Sequence, residues 1–164
     1  MAEHPSSTKR KYVSWEEYGR LSERLSKKIL ESGGNFDLVV GIARGGFPVA
    51  LVVADRLRAH IDFVNVKSYF GIDERGPPKI LSTLIEDVKG RKVLVVDDLI
   101  DEGDTMETVT KYVRTRHPDS ISTAVLFIKP WSGFKPNFFL KVVKEWIVFP
   151  WELREFGYPK LPNA

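Results

Sequence analysis

The chain contains no cysteine. That excludes disulfides, thiolate metal sites and cysteine nucleophiles together, and it is compatible with a cytoplasmic setting. No apolar run reaches the roughly 20 residues of a membrane-spanning helix. The opening MAEHPSSTKRKY lacks the apolar centre of a signal peptide, so no membrane is expected as a partner. Histidine is scarce: His4, His60 and His117 are scattered without ligand spacing, and they are assigned no role. Basic residues are not massed either. A formal net charge of +3 and a pI near 9.1 permit a polyanionic partner without demanding one. Lys9-Arg10-Lys11 is too short a cluster to claim nucleic acid, and residues 1–12 read as a disordered, solvated arm. No nucleic-acid partner is expected.

What is present is globular. A length of 164 residues, 43% hydrophobic and 29% charged, supports one domain with a real core, here residues 13–164. Its organising stretch is KVLVVDDLIDEGDTM, Lys92 to Met106. Lys92 to Val96 is apolar after its first residue and β-branched at three positions, the pattern of a strand buried on both faces of a parallel sheet. It runs into the carboxylates Asp97 and Asp98. Asp101, Glu102, Gly103 and Asp104 follow, and from Thr105 the pattern turns helical.

The crevice beyond the carboxyl ends of such strands is where ligands sit. A helix N-terminus after a glycine turn offers free N–H groups and a positive dipole end, which suit a phosphate. Acids just upstream accept hydrogen bonds from vicinal sugar hydroxyls or bind a divalent ion. One loop thus offers a phosphate cradle and a diol grip, which fits a ribose 5-phosphate.

VLVVDDLIDEGDT resembles the 5-phosphoribosyl-1-diphosphate (PRPP) motif of the type I phosphoribosyltransferases. There, four hydrophobics, two acids and two hydrophobics precede Asp-Thr-Gly-x-Thr. The resemblance implies that Asp97 and Asp98 hold the ribose hydroxyls and a magnesium ion. It places the 5-phosphate on Asp101 to Thr105, through Asp101, Glu102, Gly103, Asp104 and Thr105, and sets Asp101 beside the base. Glu102 stands where threonine is common, and Asp104 adds charge at a variable position. Both repel a phosphate unless they point outward, so the N–H groups and Thr105 must do most of the binding.

The rest of the chain extends the pattern. Ser14 and Glu17 give a capping-box signal, and Trp15, Tyr18, Leu21, Leu25 and Ile29 form an amphipathic stripe ending at Gly33-Gly34. Those aromatics read as core contacts. Leu38 to Ile42 reads as a buried strand, Ala43-Arg44-Gly45-Gly46 as a turn, and Pro48 to about Ala59 as a helix. Paired glycines let amides approach an anion closely while Arg44 supplies charge. GIARGG resembles the diphosphate loop of the same family, so Arg44 and Gly45 join the PRPP contacts.

Asp62 to Val66 reads as a second strand and Phe70 to Pro78 as a flexible hairpin. DFVNVKSY resembles the segment where a hood closes over purine phosphoribosyltransferase sites, with Lys67 at its base as a diphosphate contact. Closure would keep water from the activated sugar. Ile80 to Ile85 reads as the returning strand, Thr105 to about Arg116 as a helix, Ile121 to Ile128 as a strand, and Asn137 to Val143 as another.

The end of that penultimate strand, Lys129-Pro130-Trp131, separates subfamilies. A lysine there resembles the one that meets the exocyclic oxygen of a 6-oxopurine, and a cation suits a carbonyl and disfavours an amine. KEWIVFPWE resembles the base-binding segment of bacterial and archaeal xanthine–guanine phosphoribosyltransferases. On that resemblance Trp146 stacks on the purine and the Ile147 backbone reads its edge, while Trp151 reads as core or interface.

The implied fold is α/β, doubly wound, a mostly parallel sheet with helices on both faces, a hood hairpin and a C-terminal base-binding segment. The implied reaction transfers 5-phosphoribosyl from PRPP to guanine, hypoxanthine or xanthine with release of diphosphate, a step of purine salvage. Asp101, Arg44 and Lys67 are the catalytic candidates, with Mg2+ as cofactor and a homodimer or homotetramer as the assembly. Transfer to another base such as adenine, or a PRPP-sensing regulator on the same fold, are the alternatives.

Overall fold

A computed structural model describes residues 9–67, 76–154 and 157. Helix α1, Trp15–Glu31, starts where the sequence signals it: the Ser14 hydroxyl accepts the Glu17 N–H at 3.1 Å. Its Tyr18, Leu21, Leu25 and Ile29 are buried, and Gly33, at φ +77°, lies just beyond its end. Strand β2, Leu38–Ala43, leads into α2, Gly46–Leu57, and then β3, His60–Lys67. A two-residue strand β4, Lys79–Ile80, precedes the central β5, Lys92–Ile100. Helix α3, Asp104–Arg114, β6, Ser120–Ile128, and β7, Phe138–Val142, complete the sheet.

The order is β4-β3-β2-β5-β6-β7, parallel throughout except for antiparallel β4. Helices α1 and α2 cover one face. Val39, Leu94 and Val96 point there and pack with Leu25, Ile29, Val49 and Val53. Helix α3 covers the other, where Val40, Val93 and Val95 meet Met106, Val109 and Val113. Neighbouring residues of one strand therefore enter opposite cores, which is why these strands read as unbroken apolar runs. The fold is the doubly wound α/β sheet expected.

Three expectations need correction. Strand β5 does not stop at Val96: its pairing with β6 continues through Asp97↔Val125 and Leu99↔Phe127 to Ile100↔Ile128. The apolar pair Leu99-Ile100 extends the ladder past the acids. The returning strand is shorter than Ile80 to Ile85, because Asp62 captures the chain. Its carboxylate accepts the N–H groups of Ile85 and Glu86 at 2.6 and 2.8 Å, so those amides leave the ladder and Ile85 turns 92% exposed. The disorder expected of the arm does not hold for its described residues, 9–12. Arg10–Tyr12 form β1, in parallel register with β8, Trp146–Val148. The hood expected over Phe70 to Pro78 lies mostly outside the described residues.

Candidate active site

The sheet changes direction between β2 and β5. Strand β2 passes through α2 to β3 on one side, and β5 passes through α3 to β6 on the other. The two strands pair from Leu38↔Val93 to Gly41↔Val96 and then part, leaving a crevice at the carboxyl end of the sheet. The Ala43–Gly45 turn and the acidic loop after β5 both line this crevice.

A cavity of about 220 Å3 is lined by Ala43, Arg44, Gly45, Asp97, Asp98, Thr105, Trp151 and Glu152, among others. A second of about 100 Å3 runs from Asp97 along Asp101, Glu102, Gly103, Asp104 and Thr105 to Met106. Asp97 and Thr105 line both, so these two residues join the arginine–glycine side to the start of α3.

The walls are tightly fitted. The Ala43–Arg44 peptide is cis. A Cβ on Gly45 would lie 2.1 Å from Asp98 Oδ2, so only glycine lets this loop lie against the acids. The Tyr18 hydroxyl donates to the Gly45 carbonyl at 3.3 Å, which fastens the loop to α1. Burial, then the charges of Asp98 and Asp97, keep that phenol protonated by pushing its pKa far up.

The Asp98 N–H donates to Asp97 Oδ1 at 2.9 Å. Burial raises both carboxyls: Asp97 well above the usual range, with Asp98 as the second cause, and Asp98 to about 7. For Asp98, hydrogen bonding from the Asp97 side and from the backbone opposes the burial, and the charge of Glu152 adds to it. Two acids so strained toward neutrality are relieved by hydroxyl donors or a cation.

In the acidic loop after β5, Gly103 caps α3 at φ 109° with no side-chain cap bond. The left-handed conformation calls for glycine, and the first-turn amides of α3 face this loop, as at any helix N-terminus. Asp104 is exposed and Glu102 part-exposed.

Lys129 is 5% exposed. Its ammonium donates to the Glu145 carbonyl, one residue before Trp146. Burial lowers its pKa, opposed by Asp101 and Glu145. Trp146 is 52% exposed and Ile147 buried. The Trp146 N–H donates to the Lys9 carbonyl, and the Val13 N–H to the Val148 carbonyl. By alternation, the peptide groups of Ile147 turn to the opposite edge of β8. Four predicted residues line neither cavity: Lys67, which ends β3 exposed, and Lys129, Trp146 and Ile147.

The sequence reading missed Tyr18, Glu152 and Trp131 as parts of the site. Tyr18 sat on a helical stripe that read as core, and it is core as well as a loop contact. Trp151 stacks on Phe149 at 4.9 Å and crosses Tyr18 at 5.1 Å, so it is both the core aromatic expected and a cavity wall.

The crevice thus sets an acid pair against an arginine–glycine loop and a glycine-capped helix at the strand-order switch. Residues 11–155 match the phosphoribosyl transferase domain family, and the chain belongs to that family. It is 32% identical over 154 residues to the xanthine-guanine phosphoribosyltransferase of Ruegeria sp. (strain TM1040), covering 87% of this chain and 85% of the relative. The purine phosphoribosyltransferase of Pyrococcus horikoshii Ot3 superposes with a TM-score of 0.80 at 29% identity, over 96% of this chain and 100% of that one. The Helicobacter pylori xanthine-guanine-hypoxanthine phosphoribosyltransferase does so with 0.75 at 28%, over 90% and 96%. No helix among the described residues is long and apolar enough to cross a membrane.

Proposed function

We propose that the protein transfers the 5-phosphoribosyl group of PRPP to a 6-oxopurine base, releasing diphosphate and forming the nucleoside monophosphate in purine salvage. The observation that carries this reading is the placement of Asp97 and Asp98 against Arg44 and Gly45 in one cavity continuous with the start of α3. Lys129 and Trp146 supply the base side.

In this reading Asp97 and Asp98 accept hydrogen bonds from the ribose hydroxyls, and Arg44 and the Gly45 amide hold diphosphate. Glu102 to Thr105 receive the 5-phosphate, Thr105 by its hydroxyl and the others by backbone N–H groups. Lys67, at the end of β3, stabilises the leaving group. The N–C1′ bond forms as the C1′–O bond to diphosphate breaks, and Asp101 takes the proton that the base nitrogen loses. Lys129 donates to the purine exocyclic oxygen, Trp146 stacks on the ring, and the Ile147 backbone meets its edge.

The donor set fits magnesium. No cluster of three or more histidine or acidic ligands that could hold a metal is present among the described residues. Mg2+ typically binds through one or two carboxylates and completes its shell with substrate oxygens and water. Asp97 and Asp98 would hold it, and its charge would offset that developing on diphosphate.

Phe47, stacked on Phe63 at 4.2 Å, and Leu51 leave α2 with half-exposed apolar surface, which suits a homodimer or homotetramer. A cytoplasmic enzyme acting on soluble metabolites agrees with the rest.

Purified protein with PRPP and Mg2+ should convert guanine, hypoxanthine or xanthine to its monophosphate and leave adenine and uracil unused. Turnover of adenine alone would overturn the base assignment and leave the PRPP site standing.

A further inference from the structure

The turn after β6 is built onto the phosphate loop. Ser132 Oγ and the Gly133 N–H both donate to the Glu102 carbonyl, at 3.3 and 3.0 Å. A Cβ on Gly103 would lie 2.4 Å from the Phe134 Cβ. Ser132 Oγ accepts the Phe134 N–H at 3.2 Å, and the Ser132 N–H donates to the Lys129 carbonyl at 3.1 Å. The turn is therefore closed on itself and fastened to the loop. From it, Trp131 Nε1 donates to Asp101 Oδ1 at 2.8 Å. The same ring lies 5.4 Å from the Lys129 ammonium.

We infer that Trp131 is a positioning residue that holds the Asp101 carboxylate in its catalytic orientation and couples it to the base-reading Lys129. This rests on the proton-accepting role proposed for Asp101. A carboxylate's terminal torsion is soft. An indole has one donor, on a rigid ring with two side-chain torsions. Pinning Oδ1 fixes the plane of the group and directs Oδ2 as the proton acceptor. Misplacement of a reacting group by about 1 Å can cost about 100-fold, so one orienting bond has kinetic weight without touching substrate.

Trp131→Phe keeps a ring beside Lys129 and removes only the N–H. It should lower kcat about tenfold, with KM for PRPP within about twofold of wild type, as expected for a loss confined to the transition state. The discriminating readout is a double-mutant cycle with Asp101→Asn. If Trp131 acts through Asp101, adding Trp131→Phe to Asp101→Asn costs less than about twofold. Multiplying losses, or no loss in the single variant, overturn the inference. If Asp101→Asn itself turns over like wild type, the base reading fails first and the inference with it. Should Trp131→Phe not fold, benzothienylalanine at position 131 keeps the shape and replaces the N–H with sulfur, and the same cycle decides.

Discussion

Gly45 and Asp98 touch across the crevice: the position a Cβ would take on Gly45 is 2.1 Å from Asp98 Oδ2. The loop proposed for diphosphate and the acids proposed for ribose are thus a single fitted surface. Gly45→Ala forces one of them to move. PRPP affinity should fall at least about tenfold, or 1.4 kcal/mol, with little change in melting temperature, as calorimetry and a thermal melt would record.

Burial pushes Asp98 up to about 7 and raises Asp97 as well. An acid raised in the folded state makes that state bind more protons than the unfolded chain, so stability falls as pH rises. The window opens near the ordinary carboxyl value of about 4 and closes above about 7. The melting temperature of the ligand-free protein should therefore drop between pH 5 and 8, on the order of a few degrees, and Asp98→Asn should flatten the slope. Affinity for magnesium–PRPP should run oppositely, weakening as pH falls below 7, because protonated acids accept less. A pH-independent affinity would contradict both assignments.

Tyr18 reaches Gly45 through one neutral hydrogen bond, and its ring packs on Trp151 and Phe149. Tyr18→Phe keeps the packing. A single bond of this kind contributes about 0.5–1.5 kcal/mol, so the KM for PRPP should rise about twofold to tenfold. Tyr18→Ala removes buried ring as well and should cost about 3–5 kcal/mol of stability, measured by denaturant unfolding.

Trp146, half exposed at the start of β8, should contribute about 1–3 kcal/mol of stacking to base binding. Trp146→Ala then raises the KM for guanine or hypoxanthine about fivefold to 100-fold and leaves that for PRPP near wild type. An equal rise in both would place Trp146 in the frame of the protein and not at the base.

The sequence was legible where a local pattern carries the physics. The Ser14–Glu17 cap, the two-face burial of Leu38 to Ile42, and the acidic strand–loop–helix unit all depend on residues close in the chain. The arm and the shortened return strand were not legible, because each is decided by a remote partner: β8 for Arg10–Tyr12, the Asp62 carboxylate for Ile85 and Glu86. The same holds at the site. Tyr18 is 27 residues from Gly45 and Trp131 is 30 from Asp101. No periodicity or motif links such pairs, and only the packed sheet brings them together.

In the proposed reaction Asp101 opens the 5-phosphate loop, but its carboxylate serves ribosyl transfer more than PRPP affinity. The direct test compares wild type and Asp101→Asn for magnesium-dependent diphosphate release with guanine or hypoxanthine, alongside PRPP binding. In Asp101→Asn, PRPP affinity should stay within about threefold of wild type while turnover falls roughly 100-fold or more, the range of general acid–base catalysis. Wild-type protein that binds PRPP tightly and turns over no base would contradict it, and would make the chain a PRPP sensor.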